Sequence, residues 1–130
     1  MIKLIYIAIG GAIGALLRHF VSGIPNKFTS GIFPWGTMIV NLFGAFIIGF
    51  LWGFSERIII SSNIRSFIFI GVIGAFTTFS TYTLESFNLI RDGEIKLGLA
   101  NIFVSNVLGL VFVFLGFILS RFILKSNLWR

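Results

Sequence analysis

Residues 74–82 read "GAFTTFSTY". They place four hydroxyls, Thr77, Thr78, Ser80 and Thr81, within five positions of an otherwise apolar stretch, with Phe76, Phe79 and Tyr82 threaded through them. Serine and threonine side chains compete with the helical backbone for its own hydrogen bonds, and Gly71 and Gly74 lie just upstream. Two outcomes are open: the hydroxyls bond back to carbonyls and the helix bends, or the helix breaks. Backbone that leaves the helix at membrane depth survives only where it is buried in protein or lines a wet cavity. A break would free carbonyls as ligands for a small hard cation and aim half-helix dipoles at the gap. Aromatic edges carry partial positive charge, so Phe79 and Tyr82, three positions apart, can face an anion without supplying a fixed charge. That combination suits a small anion that must shed water without being trapped.

The surroundings make this a membrane question. The chain has 130 residues, 57% of them hydrophobic and 11% charged, with a mean hydropathy of +1.04. A soluble domain of this size has too much surface for its volume to hide so much apolar area. The net charge of +6 is spread singly between or at the ends of apolar runs, as membrane anchors and topology signals are. A nucleic-acid footprint needs a dense basic patch, so nucleic acid is not an expected partner. With no cysteine and one histidine, thiolate chemistry is excluded, and most catalytic triads and metal clusters go with it. No enzyme is expected.

Four apolar segments, at about 4–22, 35–55, 66–90 and 98–121, each approach the roughly 20 residues that cross a bilayer as a helix. The connectors "SGIPNKFTSGIFP", "SERIIISSNIR" and "RDGEIK" carry turn residues and charges. The expectation is one all-α, four-helix transmembrane domain over 1–130, its third helix broken mid-membrane. Arg18 and His19 follow the first apolar run without a small-residue cleavage site, so that run is not read as a cleaved signal. An even number of spans puts both termini on one side, with Lys3, Arg57, Arg65, Arg121, Lys125 and Arg130; the other side has Lys27, Arg91 and Lys96, plus Arg18 near a span end. This slight bias permits insertion either way up. Gly10–Gly14 and Gly49–Gly53 are small-xxx-small pairs that let helix backbones approach in lipid, and Gly109 and Gly116 mark a face of the last span. Four short helices enclose little, so self-association is expected.

Polar residues within spans are costly and tend to face a cavity or another protein surface. Arg18 reads either as an interfacial anchor or as a cavity residue. Asn41 stands alone among apolar neighbours and bonds either a neighbouring helix or a substrate. Glu85 is the one carboxylate within the spans and could pair with an arginine. Asn101 and Ser105 are four apart and share a helix face, with Asn106 adjacent.

Three blocks, "GGAIGALLR" (10–18), "PWGTMIVNLFGAFIIG" (34–49) and "GAFTTFSTYTLE" (74–85), resemble in order and spacing the signature blocks of the CrcB/Fluc fluoride channels. The resemblance runs from Gly10 to Gly109. It implies a dual-topology homodimer of antiparallel subunits in the bacterial inner (plasma) membrane, with two fluoride pathways at the interface. It also implies a structural Na+ on the two-fold axis, held by the backbone carbonyls of Gly74 and Thr77 from both subunits. The pathway residues would be Phe79 and Tyr82, then Asn41, Arg18 in the vestibule, and a polar track of Ser80, Thr81, Glu85 and Ser105. Tyr82 stands where the family has a second Phe, Asn101 where a Tyr is common, and Gly109 where a hydroxyl is frequent. The implied activity is passive, selective fluoride export conferring fluoride resistance: fluoride entering as HF dissociates inside, and the membrane potential drives the anion out. A pore with few full charges binds weakly enough to release its ion.

Two other readings remain. A small multidrug exporter also has four spans, but such exporters use a carboxylate in the first span, which this chain lacks. A non-transporting scaffold subunit would explain the glycines but leave Asn41, Glu85 and the hydroxyl run without a purpose.

Overall fold

The computed structural model describes residues 1–126; Arg130, counted above among the charges of the terminal side, lies outside them. Helix α1 is Ile2–Gly23 and α2 is Trp35–Ser55, joined through a single 3-10 turn at Pro25–Lys27. The third span, Ser62–Arg91, is assembled from pieces. These are a first turn α3 (Ser62–Arg65), a π-helical segment Ser66–Ile73, a short α4 (Gly74–Phe76), and α5 (Phe79–Arg91). The last helix, α6, is Ile95–Ser126. There is no strand among the described residues. Four helices are long and apolar enough to cross a membrane, and at most 33% of the most apolar window of any of them is buried within the chain. The remaining apolar surface needs lipid or another protein against it.

Local chemistry sets the boundaries. Pro25 opens its turn where a missing N–H costs nothing. Ser61 caps α3, its hydroxyl accepting from the Ile64 N–H at 3.4 Å. Between α5 and α6 the chain reverses at Gly93, whose φ of +89° is open to glycine at little cost. There the Gly93 N–H donates to the Ile90 carbonyl at 3.2 Å and the Glu94 N–H to that of Leu89 at 2.8 Å, closing the helix end.

Lipid supplies no hydrophobic drive between helices, so close approach has to do the holding. Helix α2 lies along α6, and the two touch reciprocally: a Cβ on Gly49 would strike the Val113 carbonyl, and one on Gly116 that of Phe46. Helix α1 lies along the π-helical segment. A Cβ on Gly10 would come within 2.6 Å of the Phe67 carbonyl, and one on Gly14 would collide with that of Val72. Each glycine pair therefore serves packing within the chain. Gly109 does not share the role of Gly116, since a Cβ there meets nothing within 4 Å.

The third span changes partners along its length. Its π-helical half packs on α1, and α5 packs on α6. The change happens at Thr77 (φ −78°, ψ 158°) and Thr78 (φ −147°, ψ 120°), two extended residues between α4 and α5. Sequence patterning gave no sign of the π-helix, because an i→i+5 ladder leaves no distinct apolar period over eight residues.

A side chain at the α2–α6 contact should be intolerable. Gly49→Val is expected to lower the thermal stability of the detergent-purified protein by an amount equivalent to about 1–3 kcal/mol or to prevent folding. Gly109→Ala, in open space, should leave the melting temperature unchanged.

Candidate functional site at the helix break

The break is built by one side chain from α2. Asn41 Nδ2 donates to the Thr78 carbonyl at 3.0 Å, and Asn41 Oδ1 accepts from the Thr78 N–H at 2.8 Å. An asparagine amide thus replaces the helical partners of one whole peptide residue. The Thr78 hydroxyl then caps α5, accepting from the Thr81 N–H at 3.3 Å while donating to Thr81 Oγ1 at 3.0 Å. Upstream, the Thr77 hydroxyl bonds back to the Ile73 carbonyl at 3.1 Å. Both outcomes left open by the sequence occur together: one hydroxyl folds back, and the helix still breaks.

The break releases particular carbonyls. In an unbroken helix the Gly74 carbonyl would accept from the Thr78 N–H, which is held by Asn41. The Thr77 carbonyl would accept from the Thr81 N–H, which is held by the Thr78 hydroxyl. Gly74 and Thr77 therefore present carbonyl oxygens without their helical donors, a donor set that fits a hard cation. Among the described residues no group of three His, Cys, Asp or Glu side chains converges on a metal position, so a cation at the break would depend on such carbonyls.

Two cavities meet at Thr78. The first, about 250 Å³, is lined by Asn41, Thr77, Thr78, Phe79, Tyr82, Ser105 and Asn106. In it the rings of Phe79 and Tyr82 lie 5.8 Å apart and tilted by 52°. Tyr82 is 8% exposed, whereas Phe79 is 77% exposed and stands out from the rest of the chain. The second, about 290 Å³, takes Arg18, His19 and Ser22 from α1, Thr37 from α2, and Thr78 and Thr81 from the break. Neither lining contains a carboxylate. Most of the hydroxyl hydrogens in these linings are spent within the chain, so an anion is favoured over a cation by ring edges, one guanidinium and a lining without carboxylates.

The other expected residues distribute around this centre. Ser80 lines neither cavity. Glu85 does not pair with an arginine: its Oε1 accepts from Thr37 Oγ1 at 2.8 Å. Arg18 is directed into the second cavity, and Arg91 is taken by Asp92 at 2.9 Å. Ser105 donates to Asn101 Oδ1 at 3.2 Å, Asn101 Nδ2 to Ser86 Oγ at 2.9 Å, and Ser86 Oγ to the Tyr82 carbonyl at 2.9 Å. This chain of bonds ties α6 to α5 through Asn101, which is 1% exposed. Thr37 and Asn106 were not singled out by sequence as site residues. The four-residue spacing of Thr37 from Asn41 was the available signal for the first; no sequence spacing marks Asn106, 24 residues from Tyr82.

Asn41→Leu removes both bonds to Thr78 and leaves a buried N–H and C=O unsatisfied. A stability loss equivalent to about 2 kcal/mol or more is expected, together with faster hydrogen exchange of the Thr78 amide. Unchanged exchange there would mean that the break stands without Asn41.

Comparison with known proteins agrees with this architecture. The profile described as "CrcB-like protein, Camphor Resistance (CrcB)" matches residues 5–117. A protein of Salinibacter ruber named fluoride-specific ion channel FluC is 50% identical over 116 residues, covering 89% of this chain and 87% of its own. Proteins of the same name from Parabacteroides distasonis and Aquifex aeolicus are 46% and 44% identical. The alignments cover 93% and 88% of this chain and 94% of each relative. With four apolar spans in the expected order and a profile match across nearly all of them, the chain is a multi-pass membrane protein and belongs to the CrcB-like family.

Proposed function

We propose that the protein is a fluoride-selective ion channel that passively releases cytoplasmic fluoride across the bacterial inner membrane. The observation that carries the reading is the first cavity, at an interrupted helix within an apolar span, lined by hydroxyl and amide side chains and ring edges and by no carboxylate. Relatives of near-equal length at 44–50% identity bear the name fluoride-specific ion channel. The route needs no nucleophile, and export is ion transport, not catalysis. The multidrug-exporter reading is disfavoured by a first span without a carboxylate. The scaffold reading leaves that cavity unexplained.

The working form is an antiparallel homodimer with two pores. Phe79 projects from the subunit at 77% exposure, and a cleft open on one side needs a second wall before an anion can shed its water there. Gly74 adds support: a Cβ there would meet only the Phe69 carbonyl, at 3.5 Å. Nothing in the subunit demands glycine at that position, whereas a close second copy would. Across such a two-fold axis the Gly74 and Thr77 carbonyls of both copies would hold a structural Na+, whose charge would tie the two breaks together.

Within each pore this chain's residues have separable tasks. Arg18 draws the anion into the second cavity beside Thr81. Asn41 and Thr78 hold the narrow point between the cavities, while Phe79 and Tyr82 offer ring edges in place of water. Ser105 continues the polar lining along α6, and Ser80 and Glu85 complete the track, Glu85 acting through Thr37. Weak, serial contacts of this kind let the ion leave as readily as it enters.

Liposomes loaded with potassium salts test the reading. Addition of valinomycin should release fluoride rapidly and chloride negligibly; release of neither anion from folded protein would return the scaffold reading. Phe79→Ile is expected to cut fluoride efflux at least about tenfold with the dimer retained. Asn41→Asp should also impair it, by setting a negative charge beside an anion route.

A further inference from the structure

The Asn106 side chain settles which way a proton points in the first cavity. One of its terminal atoms lies 2.7 Å from the Ile102 carbonyl and 2.8 Å from Tyr82 Oη. A carbonyl only accepts, so that atom is the amide nitrogen, and its two hydrogens are spent on these two partners. Tyr82 Oη therefore accepts from Asn106 and keeps its own proton to donate. Among the described residues the acceptor nearest to hand is the same Ile102 carbonyl at 3.5 Å, beyond good hydrogen-bond length and already engaged by Asn106 at 2.7 Å. The rest of Tyr82 has little freedom. The residue is 8% exposed, and its carbonyl is held by Ser86, which Asn101 holds in turn.

We propose that the Tyr82 hydroxyl is a fixed hydrogen-bond donor to the conducted anion and that Asn106 is the positioning residue that makes it one. Both residues line the cavity that also holds Asn41, Phe79 and Ser105. The proposal rests on the channel reading and sharpens it. A ring edge attracts any halide weakly, whereas an oriented O–H favours the halide with the most concentrated charge. Fluoride, the smallest, gains most from it. Asn106 also blocks the alternative of the phenol turning inward to satisfy itself on α6.

Two measurements test this. In planar bilayers, Tyr82→Phe is expected to raise the fluoride concentration giving half-maximal current by about tenfold. Asn106→Leu should do the same, because the freed Ile102 carbonyl then captures the Tyr82 proton. The double variant should be no worse than either single one. A full Asn106→Leu penalty persisting in the Tyr82→Phe background would overturn the positioning role. The second measurement does not need conduction. The chain has two tyrosines, so in a Tyr6→Phe background ultraviolet resonance Raman reads Tyr82 alone. Replacing chloride by fluoride should shift its ring bands towards those of a strong donor, and Asn106→Leu should abolish the shift. Fluoride current without a shift overturns the donor role and leaves the channel reading intact. A shift without current keeps the donor and overturns the channel; neither a shift nor a current overturns both.

Discussion

One amide holds the centre of this protein together. Asn41 on α2 presents an acceptor and a donor to the N–H and C=O of Thr78, at 2.8 Å and 3.0 Å. An extended peptide unit in lipid would otherwise leave two polar groups unsatisfied at several kcal/mol each. With that cost removed, the chain can stop being a helix, and both cavities gather at the stop. Gly74 and Thr77 lose their helical donors, α5 gains a free N-terminus, and the third span can leave α1 for α6. Leucine branches at Cγ as asparagine does, yet it would restore none of this, because the site depends on two hydrogen bonds and not on filling space.

The break also changes what the chain offers to an ion. The Gly74 and Thr77 carbonyls, without their helical donors, are acceptors suited to a cation. Phe79 and Tyr82 present positive ring edges to the first cavity, which Thr77 also lines, and no carboxylate joins them there. The first cavity holds no full charge: Arg18 lines the second, and Glu85 accepts from Thr37. In the proposed channel this separation lets the anion be solvated without being caught.

Much of this was legible in the sequence where a residue type had only one economical use in lipid. A lone Asn41 in an apolar span had to bond something, and the hydroxyl run had to compete with its own helix. Glycines four apart announced close helix contacts. Legibility failed where geometry and not residue type made the decision. The π-helical segment has no period to detect. Charge alone offered Glu85 an arginine as one alternative, but its neighbour is a threonine on α2 at 2.8 Å. Asn106 was passed over as the neighbour of a polar stripe, because only three-dimensional placement brings it to 2.8 Å from a tyrosine 24 residues away. Asn101, seen as a departure from the family, turned out to be the bolt between α5 and α6.

The contact between Gly49 and Gly116 has a mechanical meaning. Backbone meets backbone in both directions there, with Val113 and Phe46 carbonyls filling the places where side chains would stand. Sliding α6 along α2 by even one residue's rise, about 1.5 Å, would drive a carbonyl into an α-carbon. Asn41 rides on α2, and Ser105 and Asn106 ride on α6, so three residues of the cavity wall are mounted on one stiff frame. Carriers that expose a site alternately to two sides must rock their helices to do so. A frame with no clearance suits the opposite arrangement, in which the wall stays still and throughput is set by how fast the ion hops, with no conformational cycle to wait for.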